Sequence, residues 1–265
     1  MPSTKVNSVD LYYEIHGIGP PLMLISGLAS DSQSWQPVLE RLSRHYSVII
    51  FDNRGVGRTK PQDPGISIPR IADDCVALIE HLGLPSAALL GHSMGGFVAL
   101  DCAIRYPEHV LGLILVGTSA YNSERNNALF LDWASYLESG MDLEYWFRNI
   151  FYWIFSRHFF NDKEALNNAV RFAIDYPYPQ SKVAFKKQVN AIKEFNCLEE
   201  LSCINMKTMV LCGQEDLLFP PEESIKVLQS IPGLVFSIIP DAAHSVHMEN
   251  PEAFTDRVLS FLNNC

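Results

Sequence analysis

Residues 89–96 read LLGHSMGG, a G-x-S-x-G pattern centred on Ser93. The apolar residues before it predict a short buried strand, and residues 94–105 after it predict a helix. A serine on a sharp strand-to-helix turn has strained backbone geometry, and side chains two positions away on either side would collide there. Such a turn raises the hydroxyl above the sheet and aims the free N–H groups of the helix at a developing negative charge. We therefore predict that Ser93 is a nucleophile, with a plain glycine-rich turn as the alternative.

Short apolar runs recur on either side of this turn and predict βα units on a mostly parallel sheet. Runs as continuously apolar as these are expected where helices cover both faces of the sheet. The segment 10–15 alternates between polar and apolar residues and predicts an antiparallel edge hairpin. Near the end, Asn250 is a suitable N-cap for a last helix that begins at Pro251. The predicted strands after the hairpin are 22–25, 47–51, 87–90, 111–116, 208–212 and 235–239.

Between residues 119 and 205 the strand pattern stops, and helical stretches crowded with aromatic residues replace it. The segment 145–155, YWFRNIFYWIF, is the clearest case. We predict a helical cap at 119–205, inserted into an α/β core formed by 1–118 and 206–265. The aromatic residues could pack the cap on the core or form an apolar acyl pocket over Ser93. A lid that opens on a lipid surface is a further alternative.

Composition and charge limit the classes of function. The chain of 265 residues is 48% hydrophobic and 19% charged, in the range of one large globular α/β domain. A net charge of −10 without a basic stripe argues against a nucleic-acid partner. The start of the chain has no apolar leader, and no run of eighteen apolar residues follows, so we expect a cytoplasmic protein without stable membrane insertion.

The cysteines show no C-x-x-C pair and no histidine partners at metal-ligand spacing. We expect free buried thiols, with no disulfide framework and no metal. The six are Cys75, Cys102, Cys197, Cys203, Cys212 and Cys265.

A serine hydroxyl needs a base to take its proton and a carboxylate to orient that base. Both candidates follow predicted strand ends. The stretch 213–216, GQED, comes after one strand, and 240–244, PDAAH, comes after the next. The chain order is therefore serine, acid, histidine, which is the order found in α/β-hydrolases.

With these motifs the chain resembles the α/β-hydrolase superfamily over its full length, especially small esterases, enol-lactonases and cofactor-free haloperoxidase-like members. Further stretches carry the resemblance, namely 51–59, FDNRGVGRT, and 244–251, HSVHMENP. The resemblance implies an α/β-hydrolase fold with a mostly parallel central sheet flanked by helices. It also implies Asp216 as the acid, His244 as the base, and no cofactor.

Two substitutes for these roles stay open. Glu215 is a second carboxylate in the same loop, but the family's position matches Asp216. His247 is a second histidine, but in similar H-x-x-H-x-E-x-P segments the first histidine is the catalytic one. Some relatives place the acid after the strand that follows the nucleophile helix, and here that exit, 116–119, reads VGTS without a carboxylate.

An oxyanion hole should combine the backbone N–H of Met94 with one from the loop after the strand 22–25. We predict Leu28 as that second donor. The family commonly has His-Gly in this loop, whereas this chain has Ser-Gly at 26–27 and so keeps the glycine.

Three other polar residues near these motifs are predicted to have structural roles. We expect His92 to support the turn at the serine, and we expect Asp52 and Arg54 to brace the loop after their strand.

The function expected from these residues is hydrolysis of a small carboxylic ester, lactone or related acyl substrate through an acyl-enzyme on Ser93. A carbon–carbon bond hydrolase is less favoured, because 26–29, SGLA, is not glycine-rich. Thioesterase action on an acyl-carrier protein would need a basic docking face. Relatives that act as non-hydrolytic ligand sensors keep the same triad, and cofactor-free perhydrolases use it with peroxide. The expected partner is a small-molecule acyl substrate, and a homodimer is left open.

Overall fold

The computed structural model describes residues 3–62 and 65–263. Within them, eight strands form one sheet in the order β1-β2-β4-β3-β5-β6-β7-β8. The strands are β1 (Ser3–Val6), β2 (Val9–His16), β3 (Pro21–Ile25), β4 (Ser47–Phe51), β5 (Ala87–His92), β6 (Val110–Val116), β7 (Thr208–Gly213) and β8 (Val235–Ile239).

The sheet is antiparallel at one edge and parallel elsewhere. The β1–β2 hairpin pairs antiparallel, and β2 pairs antiparallel with β4, so the predicted edge hairpin is confirmed. From β4 to β8 every pairing is parallel. The carboxyl ends of the parallel strands therefore share one edge of the sheet, where ligands bind in open α/β folds.

Helices cover both faces of this sheet, which explains why the central strands are apolar at successive positions. The α-helices are α1 (Gln36–Ser43), α2 (Ile68–His81), α3 (Met94–Arg105), α4 (Glu124–Glu138), α5 (Leu143–Ile154), α6 (Lys163–Ile174), α7 (Lys182–Glu194), α8 (Pro221–Leu228), α9 (Val246–Glu249) and α10 (Pro251–Leu262).

Two apolar clusters result, one on each face, because successive side chains of a strand point to opposite sides. In β3, Leu22 and Leu24 pack with α1 and α10, whereas Met23 and Ile25 pack with α2 and α3. The mostly parallel α/β architecture predicted from the sequence is confirmed.

The last helix begins as its sequence indicates. The Asn250 side chain accepts a hydrogen bond from the Ala253 N–H at 3.2 Å, and Pro251 occupies the first helical position. Buried residues of α10 are Phe254, Thr255, Val258 and Leu262.

Helices α4 to α7 lie between β6 and β7, within the segment 119–205 that we call the cap segment. Side chains of α4, α5 and α7 join the same apolar cluster as α2 and α3. Its role as a cap remains a prediction. In the described ranges, no helix combines the length and the apolar character that crossing a bilayer requires.

Two exposures differ from what the sequence suggests. Val235 and Ile238 of β8 are 49% and 43% exposed, because β8 is the edge strand and no other strand of the described chain pairs with its outer side. The cysteines of the described chain are free, and Cys203 is exposed although we expected buried thiols. Cys265 lies outside the described residues.

Candidate active site

Ser93 follows β5 directly and precedes α3, with a backbone φ of +54° and ψ of −120°. This is the left-handed region, which a residue with a side chain adopts only where its surroundings hold it. The Ser93 N–H donates to the Val116 carbonyl at 2.9 Å, and the Ser93 carbonyl accepts from Thr118 Oγ1 at 2.9 Å and from the Gly96 N–H at 2.8 Å. The neighbouring strand β6 and its exit therefore fix the strained turn.

The glycines of the motif are required by space. A Cβ on Gly91 would lie 2.1 Å from the Gly95 carbonyl oxygen, and a Cβ on Gly95 would lie 2.1 Å from the Ile25 carbonyl oxygen. Both contacts are with backbone atoms, which cannot move aside. The steric reason inferred from the sequence therefore holds in the structure, with contacts inside the turn and to β3.

Asp216 and His244 meet at the carboxyl ends of neighbouring strands, after β7 and β8. His244 Nδ1 and Asp216 Oδ2 are 2.9 Å apart, and both side chains are buried. The other carboxylate oxygen, Oδ1, accepts from the N–H groups of Leu218 and Phe219 at 2.9 Å each. The carboxylate is thus held at both oxygens, and the ring nitrogen that it accepts from is fixed as Nδ1.

His92, which we expected to support the turn at the serine, forms its side-chain hydrogen bond with the loop of the other histidine. Its Nε2 donates to the main-chain carbonyl of His244 at 2.9 Å, so it supports that loop. Burial lowers the pKa of His92 well below its usual range, and the nearby imidazoles of His247 and His244 lower it further. His92 is therefore a neutral donor.

The two alternative residues, Glu215 and His247, have other partners than the Asp216–His244 pair. Glu215 Oε1 forms an ion pair with Arg157 Nε at 3.1 Å, and its Oε2 accepts from the Arg157 N–H at 3.1 Å. His247 is buried against the rings of Trp35 and His92, and burial lowers its pKa to about 3. Neither residue takes part in the Asp216–His244 pair.

The loop after β3 lies against the serine. A Cβ on Gly27 would be 3.1 Å from the Ser93 Cβ, so the glycine in this loop allows the close approach. Leu28 follows in the same loop and lines one cavity together with Ser93 and His244. Met94 is the first residue of α3, where backbone N–H groups have no acceptor within the helix. That the N–H groups of Leu28 and Met94 form an oxyanion hole stays a prediction.

This cavity measures about 80 Å³, which is small beside the ~300–1,000 Å³ of sites for drug-sized ligands. Its apolar wall comes from the cap segment through Phe130, Trp133, Ile150, Ile154 and Phe185. No Asp, Glu, Lys or Arg of the described chain is among its lining residues. The full lining is Gly27, Leu28, Ala29, Ser30, His92, Ser93, Phe130, Trp133, Ile150, Ile154, Phe185, Leu218, His244 and Ser245.

Larger cavities lie elsewhere. One of about 490 Å³ includes Glu223 and Lys226 of α8, and one of about 420 Å³ lies beside β8. Neither contains Ser93, His244 or Asp216. We place the candidate active site in the smaller cavity because Ser93 and His244 both line it.

The cap segment reaches the histidine loop through contacts that the sequence did not reveal. The Ser245 N–H donates to the Ile154 carbonyl at 2.9 Å. Glu249 accepts from the Ser156 N–H at 2.8 Å and from the Ala243 N–H at 2.7 Å. Glu249 belongs to the HSVHMENP stretch, but its bridging role depends on an approach of distant segments that no local pattern shows.

A second missed residue is Gln188 of α7. It is fully buried, and its Oε1 accepts from the Ala29 N–H at 3.2 Å. A single glutamine on an amphipathic helix gives no sequence signal for such a contact.

Asp52 and Arg54 brace their loop, as we expected. Asp52 accepts from the Ser32 hydroxyl at 2.7 Å and from Arg58 Nε at 2.8 Å. Arg54 forms a buried ion pair with Asp74 at 2.8 Å. Neither lines the cavity beside Ser93.

One cluster could offer ligands to a metal ion. His158, Glu215 and Asp241 have donor atoms within 4.8 Å of one another. These side chains are already paired, since Glu215 contacts Arg157 at 3.1 Å and His158 contacts Asp241 at 3.3 Å. We therefore assign no metal ion to this cluster.

Together, a parallel sheet covered by helices, a serine in a strained strand-to-helix turn and a buried Asp–His pair define an α/β enzyme with a nucleophile elbow. The model of the alpha/beta hydrolase fold family matches residues 20–251. The chain therefore belongs to the α/β-hydrolase family, which confirms both the resemblance and the fold class.

Relatives of full length support the same family. "Putative carbamate hydrolase RutD" of Agrobacterium fabrum is 29% identical over 264 residues, covering 95% of this chain and 98% of that protein. The enol-lactonase from Burkholderia xenovorans LB400 shares the fold with a TM-score of 0.89 at 23% identity, over 99% of this chain and 100% of that chain. A thermophilic esterase from Thermogutta terrifontis has a TM-score of 0.86 at 28% identity, over 99% and 96%.

Proposed function

We propose that the protein is a serine hydrolase that cleaves small carboxylic esters, lactones or related acyl compounds through an acyl-enzyme on Ser93. The observation that carries the proposal is the buried pair of His244 and Asp216, 2.9 Å apart, together with the cavity that His244 lines with Ser93. With Nδ1–H donated to Asp216, His244 Nε2 is left as the basic nitrogen.

The proposed reaction has two halves. Ser93 Oγ attacks the carbonyl carbon while His244 Nε2 takes its proton, and the N–H groups of Met94 and Leu28 receive the oxyanion. The bond to the leaving oxygen then breaks, and the imidazolium returns the proton to that oxygen. Water next gives a proton to His244 and attacks the acyl carbon, and Ser93 leaves with that proton as the carboxylic acid is released. Asp216 stabilises the imidazolium throughout.

The size and the lining of the cavity favour a substrate with a short and uncharged acyl group. Its volume of about 80 Å³ limits chain length, and its lining offers aromatic and aliphatic side chains without a charged partner for a carboxylate or an amine. Solved relatives named esterase and enol-lactonase, and a relative named for carbamate hydrolysis, fit attack on an acyl carbonyl.

Hydrolysis of p-nitrophenyl esters from acetate to laurate tests the proposal. We expect the wild type to turn over acetate and butyrate faster than laurate. We expect Ser93→Ala and His244→Ala each to lose at least ~10³-fold in kcat. Ser135→Ala is the matched control, because Ser135 is exposed on α4 and should leave turnover unchanged.

Turnover that survives Ser93→Ala would overturn the nucleophile. Fluorophosphonate labelling of Ser93 without turnover of any ester would favour the ligand-sensor alternative. Halogenation that depends on peroxide and an organic acid would favour the perhydrolase alternative.

A further inference from the structure

We propose that Gln188 of the cap segment is a positioning residue for the loop after β3, residues 26–30, which we call the oxyanion loop. Through one hydrogen bond it holds Ala29, and thereby the Leu28 N–H, in the orientation that acyl transfer needs. The inference rests on the proposed serine-hydrolase function and adds to it a residue outside the triad.

The loop needs such support because Ala29 has a φ of +58°. For a residue with a Cβ this left-handed conformation is strained and persists only where neighbours hold it. The hydrogen bond to the Ala29 N–H holds the Leu28–Ala29 peptide group. A relaxation of Ala29 would rotate this group and, through the φ and ψ angles of Leu28, would shift the Leu28 N–H in the preceding peptide group.

Contacts that hold this turn come from two sides. Within the loop, the Ser30 N–H donates to the Gly27 carbonyl at 3.3 Å. From the cap segment, Gln188 Oε1 accepts from the Ala29 N–H at 3.2 Å, across 159 residues of sequence.

The orientation of the Gln188 amide is itself fixed. Gln188 is 0% exposed, its Nε2 donates to the Arg54 carbonyl at 3.2 Å, and its Oε1 also accepts from Gln180 Nε2 at 2.9 Å. A flipped amide would set Nε2 against two donors and Oε1 against a carbonyl, so the network permits one orientation. Gln188 therefore presents an oxygen to Ala29 from a rigid, dry environment.

A positioning role predicts a specific kinetic pattern. The oxyanion exists in the transition state, whereas the apolar cavity binds the ester in the ground state. Loss of the Gln188 contact should then lower kcat and leave KM within about 3-fold. Removal of a whole oxyanion donor costs about 10²–10³ in kcat, so we expect a displaced donor to cost about 10–100-fold.

The experiment compares Gln188→Leu with Asn190→Leu on p-nitrophenyl butyrate. Asn190 is the matched control, because it lies on the same helix α7 but is exposed and does not line the cavity beside Ser93. We expect Gln188→Leu to lose 10–100-fold in kcat and Asn190→Leu to stay within about 3-fold of the wild type. Inhibition by butylboronic acid, which forms a tetrahedral adduct with a serine, should weaken in Gln188→Leu by the same factor as kcat.

Equal losses in the two variants, or a rise in KM with kcat unchanged, would overturn the inference and leave the proposed function standing. If the wild type turns over no ester and binds no boronate, the proposed function fails instead. Thermal unfolding checks that Gln188→Leu is folded. If it is not, Gln188→Met takes its place, because its unbranched side chain keeps the length of glutamine.

Discussion

Gly117 illustrates how closely the site is packed at the level of single atoms. It follows β6 with a φ of +50°, and a Cβ there would lie 3.1 Å from both Asp216 Oδ2 and His244 Nδ1. A methyl group at this position would press on the two atoms that form the pair. The glycine is therefore needed both for its backbone conformation and for the approach of the acid and the histidine.

We predict that Gly117→Ala lowers kcat by at least ~10-fold, because small displacements of reacting groups are costly. The matched control is Gly83→Ala, where φ is +67° and no atom lies within 4 Å of the added Cβ. Both variants should lose about 1 kcal/mol of stability from the left-handed backbone. Ester kinetics and urea unfolding measure the two effects. Equal kcat in Gly117→Ala and Gly83→Ala would contradict the prediction.

Among the single residues of the site, those that belong to sequence motifs were identified from the sequence. Ser93, Asp216 and His244 each follow a predicted strand end, and the structure brings the last two into contact. Gln188 and Glu249 were missed as functional candidates, because their roles arise from contacts between segments far apart in the chain. Hydrophobic periodicity and local motifs carry no signal for such contacts.

Among the secondary-structure elements, α10 is stabilised at its N-terminus by the side chain of its N-cap residue, Asn250. Without the Asn250 side chain the Ala253 N–H would lose its acceptor at the helix N-terminus. This helix covers one face of the sheet together with α1, so its ends affect the stability of the core.

We predict that Asn250→Ala lowers the free energy of unfolding by about 1 kcal/mol, which corresponds to a Tm lower by about 2–4 °C. Asn250→Asp keeps an oxygen acceptor at the cap and should remain within about 0.5 kcal/mol of the wild type. Differential scanning calorimetry of the three proteins is the measurement. If the alanine and aspartate variants have the same Tm, the side-chain cap does not stabilise the helix.

The sequence predicted whether an element is a strand or a helix better than it predicted which residues surround that element. The apolar runs located every parallel strand to within two residues, because buried strands in such sheets are apolar on both faces. Exposure of β8 was not evident, since its order in the sheet is a tertiary property. For the cap segment, aromatic helices were predicted as a group, but their boundaries and the side chains that face Ser93 required the structure.

For the whole molecule, buried histidines make stability depend on pH. His247 and His92 are both buried, and burial lowers the pKa of His247 to about 3 and that of His92 well below its usual range. In the unfolded chain both titrate near 6.5. Below that pH the unfolded chain binds more protons than the folded protein, so the stability that these groups contribute is fully present above pH 6.5 and falls as the pH falls.

We predict that each of the two histidines lowers the free energy of unfolding by up to about 1.4 kcal/mol per pH unit below pH 6.5. For His247 the decline continues down to about pH 3. Urea unfolding at several values between pH 7.5 and 5 measures the slope. Buried carboxyls such as Asp31 and Asp74 have a raised pKa and act in the opposite direction, so the informative quantity is a difference between variants.

His247→Phe removes one of the titrating groups and should flatten the slope below pH 6.5. The exposed His45 provides the control, and His45→Gln should leave the slope unchanged. An unchanged slope in His247→Phe would show that His247 takes up its proton in the folded protein as it does in the unfolded chain, and would contradict the prediction.

Under the proposed function, the separation of Ser93 and His244 along the chain determines when a growing chain can first become active. His92, next to the serine, and His244 are 152 residues apart, with the cap segment between them. At about 5–20 residues per second, a ribosome takes roughly 8–30 s to cover that distance. Under the proposed function, the growing chain carries the elbow serine without its base during this interval, so we expect a chain released before His244 to hydrolyse no ester.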